Sequence, residues 1–194
     1  MKLPNKVRVG ATEYEIKFPY RFVECDDRSA QHSLTEGKIW VSDVNNDRER
    51  NQQKIKGSFL HELIHAIDSN WLDGNLEERQ VEVLGNCIYD LLKYQEVKEI
   101  PKKIVLAGLE YKIYYPYEYK ETKEYYSFCD NSTCEIFINK EINYFVARTS
   151  LFTQILSIFN DSYSIELESN DIKKIANGLV DTLDRNNLWN FFKK

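Results

Sequence analysis

The chain has 194 residues, 42% hydrophobic and 29% charged, the composition of a soluble globular protein long enough to bury a real core. A net charge of −5 argues against nucleic acid as the main partner, because phosphate binding needs a basic surface. No apolar run nears the ~20 residues that span a membrane, and Met1 to Lys6 lacks the apolar core of a signal peptide.

Along the chain, Val7 to Val9 and Tyr14 to Phe18 read as two strands joined at Gly10-Ala11, and Lys38 to Val41 as a third. Trp40 lies on that third strand, which as an edge would pair with an extended substrate. His32 precedes the strand and fits no ligand spacing. It reads as an exposed loop residue, or at most as a weak oxyanion helper.

A helix is predicted over Gln52 to Asn70, apolar nearly all round and therefore buried. It carries His61-Glu62-Leu63-Ile64-His65, that is H-E-x-x-H, with two of the chain's three histidines. Positions i and i+4 share a helix face, so both imidazoles can reach one Zn²⁺. Glu62 falls about 100° round the helix, within reach of a proton on a metal-bound water. The spacing thus supplies two ligands and a general base from one rigid element. A core helix that merely happened to carry these residues would bury two imidazoles without partners, at a cost.

A second helix is predicted over Leu76 to Tyr94, packing through Val81, Leu84, Gly85 and Ile88. A catalytic zinc usually takes three protein ligands and leaves a fourth position to water. Glu78 stands at the N-terminal end of this packing stripe, where it can face the first helix. It can equally close a capping box with Asn75 as N-cap. Asp68, three residues after His65 on the same face, is the rival ligand or an outer-shell acceptor.

The remaining chain repeats the first part. Leu3-Pro4-Asn5-Lys6-Val7 returns as Ile100-Pro101-Lys102-Lys103-Ile104, and Ile39-Trp40-Val41 as Ile136-Phe137-Ile138, both at a spacing of 97. After a shorter loop, Ser58 to Trp71 aligns with Ser150 to Tyr163 at 92, and Leu84-Gly85-Asn86 with Ile175-Ala176-Asn177 at 91. Strands are therefore expected near Lys103 to Leu106, Glu110 to Tyr115 and Glu135 to Ile138, and helices near Asn143 to Asn160 and Asn170 to Arg185. In this copy His61, Glu62 and His65 become Thr153, Gln154 and Ser157, and Glu78 becomes Ser169. The metal site should lie in the first copy alone, with one Zn²⁺ per chain. A carboxylate lost together with both histidines is the better ligand candidate. Strands followed by helices make the fold class α+β: a short sheet and two helices, duplicated in tandem over residues 1–97 and 98–194. The short, glycine-poor join suggests that the halves pack on each other.

His61 to His65, followed by Glu78-x-x-Val81-x-x-Leu84-Gly85-x-x-Ile88, resembles the ImmA/IrrE-type metallopeptidases and their small phage-encoded relatives. The resemblance covers roughly residues 3 to 94. It implies a minimal zincin fold with Glu78 as third ligand, and a regulatory protease of a phage or mobile element. The fused degenerate copy departs from that family's pattern.

The expected activity is hydrolysis of a peptide bond in a protein or peptide substrate, with Glu62 as general base and His61, His65 and Glu78 as metal ligands. The alternative is a non-catalytic binding protein on the same scaffold, with a structural or vestigial zinc. Tyr111, Tyr114, Tyr115, Tyr117, Tyr119, Tyr125 and Tyr126 crowd one stretch, as interface tyrosines do, although strand propensity also accounts for them. Cys25, Cys87, Cys129 and Cys134 show no C-x-x-C spacing, so free thiols in the cytoplasm are expected, with a Cys129–Cys134 hairpin bridge as the alternative.

Overall fold

In a computed structural model that describes residues 1–23, 27–119 and 125–193, the chain is α+β, with the same element order in each half. Cys25 lies outside the described residues; Cys87, Cys129 and Cys134 are free thiols.

The first half begins with β1 (Lys6–Val9) and β2 (Thr12–Lys17), an antiparallel hairpin turned at Gly10, whose φ of 57° suits a residue without Cβ. Alternation buries Val7, Val9, Tyr14 and Ile16 on one face. Next come β3 (Ala30–Ser33) and β4 (Lys38–Val41). β4 pairs parallel to β2, and β3 pairs antiparallel to β4 from outside, giving the order β1-β2-β4-β3. Trp40 is therefore on an interior strand. The edge that the sequence assigned to it belongs to β3, because the chain passes out to β3 before turning back to add β4.

A small hairpin, β5 (Val44–Asn45) with β6 (Arg48–Glu49), leads into α1 (Gln52–Trp71). The Asn51 side chain caps α1, accepting a hydrogen bond from the Lys54 amide at 2.9 Å. Buried Phe59, Leu60, Leu63, Ile64 and Ile67 leave this helix almost without a solvent face. Asn70 ties its end to the first hairpin, donating to the hydroxyl of fully buried Tyr14 at 3.0 Å. The second helix, α2 (Glu78–Tyr94), starts two residues later than the sequence suggests, capped at Glu77, whose amide donates to the Gln80 side chain at 2.9 Å. The capping box that Asn75 and Glu78 offered as the alternative does not form, because the Asn75 amide is already taken by Asp68.

The second half repeats the plan with β7 (Lys103–Leu106), β8 (Leu109–Tyr117), β9 (Ser127–Asp130) and β10 (Glu135–Asn139), ordered β7-β8-β10-β9. Again the two central strands are parallel. Helices α3 (Tyr144–Tyr163) and α4 (Ser169–Arg185) follow, α3 capped by Asn143 as α1 is by Asn51. One continuous set of buried side chains runs through both halves. The main cross-contact sets α4 against α1 and β1. Gly178 makes it possible: a Cβ there would sit 2.8 Å from the Ile67 side chain and 3.2 Å from that of Trp71. Among the described residues no helix is long and apolar enough to cross a membrane.

Candidate metal centre

Three side chains predicted apart in sequence come together at the α1–α2 interface. His61 Nε2 and His65 Nε2 lie 3.1 Å apart. The Glu78 carboxylate spans both, Oε1 at 3.0 Å from His61 and Oε2 at 3.1 Å from His65. The helical i,i+4 repeat aligns the imidazoles, and α2 starts at Glu78, so this carboxylate projects from the first turn directly over them. Gly85 lies behind His61, where a methyl group would be 3.8 Å from the His61 Cα. That is an ordinary van der Waals separation, so α2 already runs close against α1 at the site.

Glu62 stands beside the cluster and is buried, at 6% relative exposure. Burial, reinforced by the negative charge of Glu78, pushes its carboxyl up to about 8, while the backbone N–H of His32 and the Arg28 charge act in the opposite direction. Burial, with the neighbouring His65, also lowers the proton affinity of His61, against the opposing pull of Glu78. Burial thus favours neutral imidazole on His61, the form whose nitrogen lone pair can bind a cation.

His32, which sequence reasoning placed in an exposed loop, belongs to the site. It sits on edge strand β3, half-buried, its ring stacked on that of His65 with centroids 5.6 Å apart and planes 1° from parallel. Its Nε2 lies 3.1 Å from the Ser69 hydroxyl, and burial beside His65 pushes it down to about 4. A neutral His32 therefore backs the His65 ring. No local pattern announces this: the placement depends on β3 pairing with β4. The one available signal was that the chain's third histidine precedes the zinc-type helix.

Asp68 is placed differently. It is 3% exposed, and its carboxylate accepts from the amides of Asn75 at 3.1 Å and Leu76 at 3.3 Å, holding the α1–α2 loop. Its counterpart in the second half, Asn160, accepts from the Leu167 amide at 2.8 Å. A side chain that does the same work where no histidines exist is a loop anchor. Thr153, Gln154 and Ser157 replace the triad in α3. Thr153 donates to the Thr149 carbonyl at 2.9 Å, and Gln154 to the Ser127 hydroxyl at 2.8 Å.

The cluster opens into a cleft of about 1230 Å³. Its walls are the β5–β6 hairpin, the start of α1, and Glu82, Asn86 and Tyr89 of α2, with His61, Glu62 and Glu78 at one side. Arg50 fixes the hairpin wall, donating to the carbonyls of Ser29, Ser42 and Lys54 and to the Ser58 hydroxyl. A cleft of this size has room for a peptide segment of several residues. No protein family, curated protein or solved structure matches this chain significantly.

Proposed function

We propose that the chain is a zinc-dependent endopeptidase built on a minimal zincin-like unit, residues 1–97, followed by a degenerate copy, residues 98–194. The observation that carries this reading is the convergence of His61, His65 and Glu78 beside buried Glu62 on the wall of a large cleft. The ligand atoms suit the ion: bonds of 2.0–2.2 Å in a tetrahedron put donors about 3.3 Å apart, against 3.1 Å between the two imidazole nitrogens and 3.0–3.1 Å from each of them to one of the two Glu78 oxygens. Two imidazole nitrogens in van der Waals contact, faced by a carboxylate, make a strongly cation-attracting arrangement. His32 helps by fixing the orientation of His65.

When bound, Zn²⁺ supplies Lewis acidity toward water and the scissile carbonyl. Glu62 does the proton work. It takes a proton from the attacking water and returns one to the departing amine, so its burial matters: a poorly solvated carboxylate is a stronger base. A nearby dication favours its ionised form, offsetting the burial that keeps the metal-free group neutral. The proposed substrate is a protein or peptide, held in the cleft beside the metal ligands. The shared strand order and matched caps support duplication, and the free thiols fit a cytoplasmic setting.

The second reading, a protein-binding factor on this scaffold, is favoured by one feature. The outer face of the second sheet is an aromatic platform in which Tyr114 and Phe137 stack at 5.0 Å and Tyr117 lies 4.8 Å from Phe137. The deciding experiment measures zinc content and proteome-wide cleavage for the wild type and Glu62→Gln. Zinc in both with cleavage only by the wild type supports the peptidase. Equal cleavage by both variants, or zinc binding with no cleavage by either, overturns it.

A further inference from the structure

The two halves match position for position through their strand order and helix bounds, which makes one mismatch informative. In the seam between α4, α1 and β1, the Asn186 carboxamide reads the free edge of β1. The Arg8 amide donates to Asn186 Oδ1 at 2.8 Å, and Asn186 Nδ2 donates to the Arg8 carbonyl at 2.8 Å. The matched seam, between α2, α3 and β7, is open. It is a cleft of about 420 Å³ lined by Val83, Cys87, Leu91, Val105, Phe159 and Tyr163, among others.

The cause of the opening is legible residue by residue. Gly178, which lets α4 close on Ile67 and Trp71, is matched by Cys87; Ile67 and Trp71 are matched by Phe159 and Tyr163. A side chain on one helix meets a larger one on the other, so the seam does not close. Asn186 is matched by Gln95, which leaves α2 with an extended cap (ψ 148°) where Asn186 keeps a compact one (ψ 4°). Among the described residues Gln95 makes no side-chain hydrogen bond. β7 pairs with β8 in the register of β1 with β2, Val105 opposite Glu110 as Arg8 is opposite Glu13. Val105 therefore turns its N–H and C=O away from β8, toward the open edge, just as Arg8 does. No side chain among the described residues meets them.

We infer that this cleft is a docking site for a peptide segment of a partner protein that presents an asparagine or glutamine side chain to the Val105 backbone. The carboxamide would donate to the Val105 carbonyl and accept from its amide, as Asn186 does at Arg8. Aliphatic neighbours would cover half-buried Val83 and exposed Val105 and Tyr163. An aspartate or glutamate would not serve. It has no proton for the carbonyl, and Asp90 stands in the cleft wall to repel it. This inference is independent of the metal centre.

The test uses the full chain and a fluorescent peptide copying residues 183–190, which contains the Asn186 that fills the matched seam. Saturable binding is expected, with hydrogen-exchange protection gained at the Val105 amide and along 83–95. The same peptide carrying Asn186→Asp should bind at least about tenfold more weakly, the loss of one hydrogen bond plus repulsion. Cys87→Trp in the chain, which fills the cleft, should abolish binding. The peptide comparison on unaltered protein decides the matter if that variant does not fold. Equal affinity of the two peptides, protection at Arg8 in place of Val105, or no saturable binding would overturn the inference. A Val105 amide already protected in the free chain would also overturn it, since Gln95 would then close the site from within.

Discussion

Helices α1 and α3 occupy the same place in their halves, under similar sheets and beside similar partners, yet they treat polarity differently. In α3 the polar groups at the matched positions are uncharged, and Thr153 and Gln154 are satisfied by nearby carbonyl and hydroxyl groups. Helix α1 instead holds two half-buried imidazoles with their Nε2 atoms in contact and a buried carboxyl beside them. What is common to both is structural: an asparagine N-cap, and an oxygen at position 68 or 160 that anchors the following loop. The difference teaches that the scaffold needs the caps and anchors but not the histidines. Their retention in α1 calls for a role outside folding.

The sharpest way to break that comparison is to remove ligands from each half. His61→Ala or His65→Ala is expected to abolish stoichiometric zinc binding, measured by metal analysis of the replete protein. Thr153→Ala and Ser157→Ala should leave it at one ion per chain. Loss of zinc from a second-half variant would contradict the assignment of the site to the first half alone.

Next in size is the seam. Gly178→Cys copies the residue of the open seam into the closed one and should cost about 1–3 kcal/mol by overpacking, because a Cβ there meets Ile67 at 2.8 Å. Urea unfolding would reveal it as a lower midpoint at an unchanged slope. A neutral result would mean that α4 relaxes away from α1 freely, and the two seams would then differ for some other reason.

Asn186→Ala should cost about 1 kcal/mol, since it frees the Arg8 amide and carbonyl at a position water can reach. Gln95→Ala, at the matched position without those bonds, should stay within about 0.5 kcal/mol of wild type. Similar losses for the two would show that Gln95 also bonds the sheet edge in solution.

Much of this comparison was legible in the sequence, and the rest was hidden for identifiable reasons. Strands such as β1 and β7 announce themselves because alternate residues are buried. β3 does not, because Ala30-Gln31-His32-Ser33 lies on an edge where none of its residues is fully buried. With β3 unseen, the site role of His32 was unseen too. Asp68 and Glu78 could not be separated by helical periodicity, which puts each on a face turned toward the same region. The loss of Glu78 together with both histidines in the second copy already favours it as the ligand, and the loop between α1 and α2, folding back to give its amides to Asp68, supplies the structural reason.

The smallest effect concerns Gly85. An added methyl would meet only ordinary contacts, the nearest at 3.7 Å, and the matched residue is Ala176. Gly85→Ala should therefore stabilise the protein by about 0.5 kcal/mol through reduced freedom of the unfolded helix. A loss of stability, or weaker zinc binding, would indicate that α2 must approach His61 more closely than the structure has it.

The strand order carries a consequence for how the protein is made. β4 joins β2 in parallel, a pairing that cannot form by a tight turn and must wait for a longer loop to close. β3 forms a local antiparallel hairpin with β4 across residues 34–37, so the two strands can join the sheet together, but β3 pairs with β4 alone. The strand bearing His32, held on one side only, should fray more readily than interior β4. Amide exchange along residues 30–33 should be faster than along β4, so the wall behind His65 opens more readily than the helices that hold the ligands.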